Sequence, residues 1–209
     1  MPRPRSLSTD RLAAAAVNVI DRDGLAGLSM RTVAGELGMS TMALYRYVRD
    51  RDELELLVVE DVLRALDPAP PPDGTWQERI KTMAERVRAA MIAHPGVVPL
   101  TVRHRQHSMT TLRWSETVLG ILTEAGFSGA GRVVALRGLI SYINGAVQLE
   151  HLGALSGAGT VTISELSPGD FPLMAATAGT ARAVGPDEEF AGGLEIMLRG
   201  LAASRTPAG

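Results

Sequence analysis

The sequence predicts an all-α protein: an N-terminal three-helix unit containing a helix-turn-helix, followed by a larger helical part. Three observations predict it. Apolar residues recur at steps of three and four along most of the 209 residues, which places them on one face of a helix with about 3.6 residues per turn. Helix-starting Ser, Thr and Asp and helix-stopping Gly punctuate that pattern. A proline cluster, DPAPPPDGT at residues 67–75, separates a short set of helices from the rest; it cannot continue a helix and reads as a stiff connector.

Taken in order, Ser8, Thr9 and Asp10 offer caps to a first helix that stops at Gly24, where a left-handed C-cap is easy for glycine. Ser29 caps a second helix over residues 30–37, closed by Gly38, and Ser40 or Thr41 caps a third that runs to Val48. A fourth starts near Asp50 and carries Leu54, Leu57, Val58, Val62 and Leu66 at helical spacing. Beyond the prolines, residues 76–94 are amphipathic and end at His-Pro-Gly. A broken stretch with Pro99, His104 and His107 follows. Ser108 caps a helix to Ala125, and Ser128 or Gly129 opens another to His151 or Leu152. Residues 153–169 read as a loop of low order with a short strand-like TVTI. Helices over residues 171–178 and 187–203 and a frayed SRTPAG complete the chain.

Composition excludes several classes. With 45% hydrophobic and 21% charged residues the chain matches soluble globular proteins, so disorder is not its main state. The absence of cysteine removes disulfides, thiolate metal sites and thiol nucleophiles, and a cytoplasmic location is expected. Arg3, Arg5 and Arg11 precede the apolar run 12–20 as in a signal peptide, but Asp21-Arg22-Asp23-Gly24 follows in place of a small-residue cleavage site, so a buried amphipathic helix is the expectation. No uncharged stretch approaches the roughly 20 apolar residues that cross a bilayer, so no membrane is expected as a partner.

The net charge of -2 hides an asymmetry. Up to Arg49, seven arginines face Asp10, Asp21, Asp23 and Glu36; between Asp50 and Asp61, six acidic residues face Arg51 alone. One end of the chain is thereby marked for an anionic partner.

The second and third helices, separated by Gly38-Met39-Ser40, make a helix-turn-helix. At about 100° per residue from Thr41, Leu44 and Val48 fall at about 300° and about 340°, on the core side, while Tyr45, Met42 and Arg46 at about 40°, about 100° and about 140° face away. A phenol, a methionine and a guanidinium suit a groove lined by phosphates and base edges, which points to double-stranded DNA. The plainer alternative is a helical bundle whose Tyr45 and Arg46 only meet solvent.

Residues 25–63, LAGLSMRTVAGELGMSTMALYRYVRDRDELELLVVEDVL, resemble the N-terminal domain of the TetR family of transcriptional repressors. The shared pattern is L-S-x-R-x-V-A-x-x-L-G-x-S-x-x-x-L-Y-x-Y-V followed by D-R-D-E-L. The resemblance implies DNA contacts from Arg31, Ser40, Thr41, Met42, Tyr45, Arg46, Tyr47 and Arg51. Of these, Tyr45, Tyr47 and Arg51 would hold mostly backbone, and Arg31, Thr41, Met42 and Arg46 would lie nearer the bases. It also implies a C-terminal helical ligand-binding and dimerisation domain. Residues 76–151 are similar to that domain of the tetracycline repressors through Trp76-Gln77-Glu78, the Ala93-His94-x-Gly turn and Leu122-Thr-Glu-Ala-Gly-Phe-Ser128. Where those proteins use polar groups for the drug and its magnesium, this chain has Met83, Val118, Leu100 and Leu149, so a tetracycline-magnesium ligand is not expected.

The helix from Ser128 is apolar over most of its circumference but carries Arg137, Ser141, Asn144, Gln148 and His151 as one narrow stripe. The stripe either meets water or lines an effector cavity. The candidate pocket residues are Met83, His104, Trp114, Val118, Arg137, Ile140, Asn144, Gln148 and Met174. In the last helix, Phe190, Leu194, Met197 and Leu201 form a packing seam that serves either one subunit or, with Ile143 and Val147, a four-helix dimer interface. His104 and His107 have no acidic residue beside them in the segment, so no metal is expected, and neither a catalytic set nor a cofactor fingerprint is present. The domain expectation is a DNA-binding unit at 1–49, a connecting helix at 50–66, a linker at 67–75 and an effector-binding and dimerisation part at 76–204. The predicted function is a ligand-responsive repressor that binds a palindromic operator as a homodimer and is released by a small-molecule effector. The rival readings are a helical small-molecule carrier and a protein-protein adaptor.

Overall fold

The computed structural model describes residues 8–204; Arg3, Arg5 and residues 205–209, where a frayed end was expected, lie outside them. The chain forms two compact units. The first takes the chain up to Ala69 and the stretch Arg86–Thr117, and the second takes Pro70–Glu85 and the chain from Val118 onward.

The first unit begins with α1 (Thr9–Asp23), whose start is fixed by Ser8 accepting the Arg11 N–H and whose end is fixed at Gly24, with its N–H bonded to the Ile20 carbonyl. Leu12, Ala16, Val19 and Ile20 are buried along one face, as the pattern predicts. In α2 (Met30–Glu36), Ser29 and Thr32 cap each other reciprocally. Gly38 then adopts φ 65°, a left-handed turn that a side chain would strain, and Ser40 caps α3 (Thr41–Leu44).

Helix α3 is shorter than expected. The Tyr47 and Val48 N–H groups both donate to the Leu44 carbonyl, so the last turn tightens instead of extending. Asp50 caps α4 (Arg51–Val62), and Leu63 and Leu66 remain buried after it in turns, where the fourth helix was expected to continue to residue 66. Helix α1 packs on both α2 and α4.

Helix α5 (Trp76–Met91) and, after α6 (Val98–Arg103), helix α7 (Met109–Glu124) each give residues to both units. The second unit also contains α8 (Gly129–Leu152), α9 (Ala158–Ser164), α10 (Pro172–Ala181) and α11 (Pro186–Ala203). Helices α8 and α11 approach closely: the Tyr142 hydroxyl donates to the Phe190 carbonyl at 2.6 Å, and a Cβ on Gly193 would sit 2.5 Å from that hydroxyl. Trp76 meets Phe127 edge-on at 5.3 Å.

The TVTI run is helical, inside α9, and α9 packs on α10. Four alternating residues are too few to fix a period, and here the Thr162 hydroxyl bonds back to the Ala158 carbonyl within the helix. Among the described residues no helix is long and apolar enough to cross a membrane.

Candidate nucleic-acid interface

The outward face of α3 is the face the residue spacing predicts. Leu44 and Val48 are fully buried, while Met42 is 77% exposed, Tyr45 47% exposed and Arg46 exposed. Thr41 and Tyr47 are half-buried, and Ser40 and Arg31 are exposed. The Ser40 hydroxyl is already used, accepting the Ala43 N–H at 3.2 Å. An outward face whose one charge is the Arg46 guanidinium is thus supported from beneath by two apolar anchors, and no acidic side chain intervenes between Gly38 and Arg49.

Arg51 stands at the first turn of α4 and is half exposed. Its Nε donates to Glu55 Oε1 at 2.7 Å. Glu55 itself is fully buried, and its second oxygen meets His104 Nε2 at 2.8 Å and Arg103 Nη1 at 3.3 Å. Arg103 Nη2 also reaches Asp52 at 2.9 Å. Burial pushes the Glu55 carboxyl up, but the hydrogen bonds from His104 and Arg51 and the nearby charges of Arg103 and Arg51 outweigh it and leave it below the ordinary value.

Asp52, Glu55 and His104 bring donor atoms within 4.8 Å of one another, a spacing that suits a cation. The Arg103 guanidinium bridges the two carboxylates and supplies the positive charge there. His107 takes no part. No acidic partner for His104 lies within the segment 104–107; it comes from α4, about fifty residues earlier.

Two further links escaped the sequence reading. Glu60 accepts from the Thr110 hydroxyl at 2.7 Å and from backbone at the start of α7, and His94 Nδ1 lies 2.7 Å from Asp21. For Glu55 a signal was present: it falls in helical phase with Val58, Val59 and Val62, all buried, and a carboxylate on an apolar face requires partners. Glu60 and His94 carried no comparable signal.

The candidate pocket residues divide. His104 and Trp114 belong to the first unit, and Met83, Val118, Arg137, Ile140, Asn144, Gln148 and Met174 to the second. His104, expected to orient an effector, has its Nε2 2.8 Å from the buried Glu55 carboxylate. Met83 and Val118 are fully buried, Ile140, Asn144 and Gln148 are half-buried, and Arg137 and Met174 are exposed. The stripe therefore varies along its length: Arg137, Ser141 and His151 are exposed, while Asn144 and Gln148 are only partly so. An open groove of about 600 Å³ follows the start of α5 and α11, but it is lined by charged groups such as Glu78, Lys81, Glu188 and Arg199 and includes none of the candidate residues.

The dimer seam is also corrected. Ile143, Val147, Phe190 and Leu194 are at most 3% exposed in the single chain, so they have no surface left for a second copy. Their period served packing within one subunit. Met197 and Leu201 are half-buried, and the large apolar residues that α8 and α11 leave outside are Val133, Val134, Leu149, Leu152 and Ile196.

Comparison with known proteins adds a lineage to this geometry. Residues 12–56 match the family described as bacterial regulatory proteins, tetR family, and residues 67–205 match the tetracyclin repressor-like C-terminal domain. The chain is 33% identical to the HTH-type transcriptional repressor DrrR1 of Streptomyces coeruleorubidus over 96% of this chain and 78% of that one. It is similar to the crystal structure of a possible TetR family transcriptional regulator from Streptomyces coelicolor A3(2), with a TM-score of 0.83 and 28% identity over 95% of this chain and 100% of the other. It is also similar to the Streptomyces coelicolor protein ActR in complex with actinorhodin, with a TM-score of 0.78 and 26% identity over 99% and 100% of the two chains.

Proposed function

The chain belongs to the tetR family of bacterial regulatory proteins, and from that premise we propose that it represses transcription as a homodimer on a palindromic operator and lets go when a small-molecule effector binds. The observation that carries this reading is the outward face of α3, where Met42, Tyr45 and Arg46 are exposed over the buried anchors Leu44 and Val48. Arg46 can grip a guanine edge or a phosphate, Tyr45, Tyr47 and Arg51 can hold backbone, and Arg31, Thr41 and Met42 can meet base edges. A twofold dimer presents two such faces to successive major grooves about 34 Å apart, which is why the operator should be a palindrome.

The division of labour in this reading gives DNA contact to residues 1–49, connection to 50–66, a stiff link to 67–75, and effector binding and dimerisation to 76–204. Within the last part, the half-buried Asn144 and Gln148 beside Ile140 are the best-placed polar groups to orient an effector, with Met83 and Val118 as apolar wall. Val134 and Ile196 offer the apolar surface a second copy needs. The effector acts by binding better to a dimer whose reading faces are wrongly spaced, and a coupling of about 1–3 kcal/mol changes operator affinity roughly 5- to 150-fold. The protein works in the cytoplasm, as a regulator and not as an enzyme.

The deciding experiment is a genome-fragment pull-down with purified protein, repeated at higher salt. Enrichment of a short palindrome that weakens with salt is expected, because phosphate contacts release counterions. A folded protein that enriches no sequence would overturn the reading in favour of a carrier, and salt-insensitive association would favour an adaptor.

A further inference from the structure

We propose that Glu55 is the positioning residue for Arg51, and that Arg103 of α6 and His104 at its C-terminal end hold Glu55 in place, so that α6 sets how firmly the first turn of α4 grips a phosphate. The inference rests on the DNA-binding reading above and adds a regulatory element inside the first unit.

The geometry is specific. An arginine on an exposed helix start normally samples many rotamers, and ordering it on DNA costs affinity. Here the Nε edge of Arg51 is pinned at 2.7 Å by a carboxylate that is itself fully buried. The side chain is half exposed overall, and its two terminal nitrogens are the donors that can meet a phosphate. Glu55 cannot turn away to water, because its other oxygen is taken from the opposite side by His104 Nε2 at 2.8 Å and Arg103 Nη1 at 3.3 Å. The carboxylate is thus a two-ended bridge, with one oxygen on the DNA side and the other on α6. Four charged groups and one imidazole share the site: Arg51, Asp52 and Glu55 from α4, and Arg103 with His104 from α6 and its end. A displacement of α6 reaches Arg51 through this bridge without any contact between α6 and DNA.

The test is a double-mutant cycle on the operator fragment recovered by the pull-down, read as affinity and as its salt slope. Glu55→Asp keeps the charge and withdraws the carboxylate by one methylene, so long-range attraction to DNA is unchanged. It should weaken binding by about three- to tenfold, the range expected from releasing one long side chain. Arg51→Ala should lower the salt slope by about 0.9 per subunit. In the Arg51→Ala background, Glu55→Asp should have no further effect. His104→Ala should behave as Glu55→Asp does, and His104→Gln, which restores an N–H donor, should recover most of the loss. This second pair decides the matter if Glu55→Asp does not fold. Additive losses in the cycle, or no rescue by glutamine, overturn this inference while leaving the repressor reading intact. Failure of the wild-type protein to retain any DNA overturns both.

Discussion

In the first unit, polar side chains reach from one element to another: Asp21 of α1 to His94, Asp10 to Arg64 beyond α4, Glu55 of α4 to His104, Glu60 to Thr110 at the head of α7. In the second, α8 and α11 meet through the Tyr142 and Phe190 rings, with Ile143, Val147 and Leu194 buried on the same two helices, and the described cross-element polar links include Tyr142 to the Phe190 carbonyl and Arg79 to Glu124. The difference is one of directionality. Hydrogen-bonded pairs fix angle and register, which a unit that must present side chains to a groove needs. Apolar packing is non-directional and tolerates sliding, which suits helices that must accommodate a ligand or a second copy. Both units leave large apolar residues uncovered: the first exposes Ile92, Val102, Met109 and Leu112 besides Met42 and Tyr45 of its outward face, and those of the second include Leu152, Phe171, Leu173 and Ile196.

The largest expected effect tests whether the second unit is as apolar in its energetics as in its contacts. Phe190→Ala should cost about 3–5 kcal/mol in urea unfolding, and the loss should persist at every protein concentration, since the ring is buried within one chain. A loss that disappears as concentration rises would return Phe190 to the dimer interface.

Next in size, Ile196→Asp should convert a dimer to a folded monomer in sedimentation. It would place an unpaired charge at the proposed contact, a change worth about 2–3 kcal/mol. An unaltered dimer would move the interface to another face.

On the directional side, Arg46→Ala should lower operator affinity by about 1–3 kcal/mol with no change in melting temperature. Tyr45→Phe should lower it by about 1 kcal/mol, the net value of one hydroxyl contact. Unchanged gel-shift affinity in both would mean that α3 presents a different face.

The smallest effect concerns acid. Burial pushes the Glu60 carboxyl up, but hydrogen bonds from Ser108, Thr110 and the Met109 backbone win and hold it below the ordinary value near 4.5. A carboxyl whose folded value is lowered contributes stability that is present above the unfolded value and is lost as pH falls through the folded one. Glu60→Gln should therefore be less stable than wild type at neutral pH, by about 1 kcal/mol, and the two stability curves should converge as the pH drops below the ordinary carboxylate range. Parallel curves down to acid would contradict the proposed role of Glu60 at the head of α7.

The sequence by itself determined most of the helices, though not α6 or α9, and the buried faces of α1 and α3. Local forces dominate there: Ser29 caps the helix it was expected to cap, Ser8 and Ser40 are the caps among the candidates offered for theirs, Asp50 caps the helix expected to start near it, Gly24 and Gly38 turn the chain, and the buried positions Leu12, Leu44 and Val48 follow from period alone. It misjudged α9, where four residues could not distinguish two periods, and the end of α3, where one carbonyl serves two amides.

Tertiary structure alone decided which chain fills each apolar seam and which charge meets which. A seam of Phe190 and Leu194 has the same period whether its partner is α8 of the same chain or a second copy, so periodicity could not assign it. His104 could not be paired with Glu55 from sequence, because hydrogen bonds act over about 3 Å whatever the separation along the chain, and only the packing of α6 on α4 brings the two together.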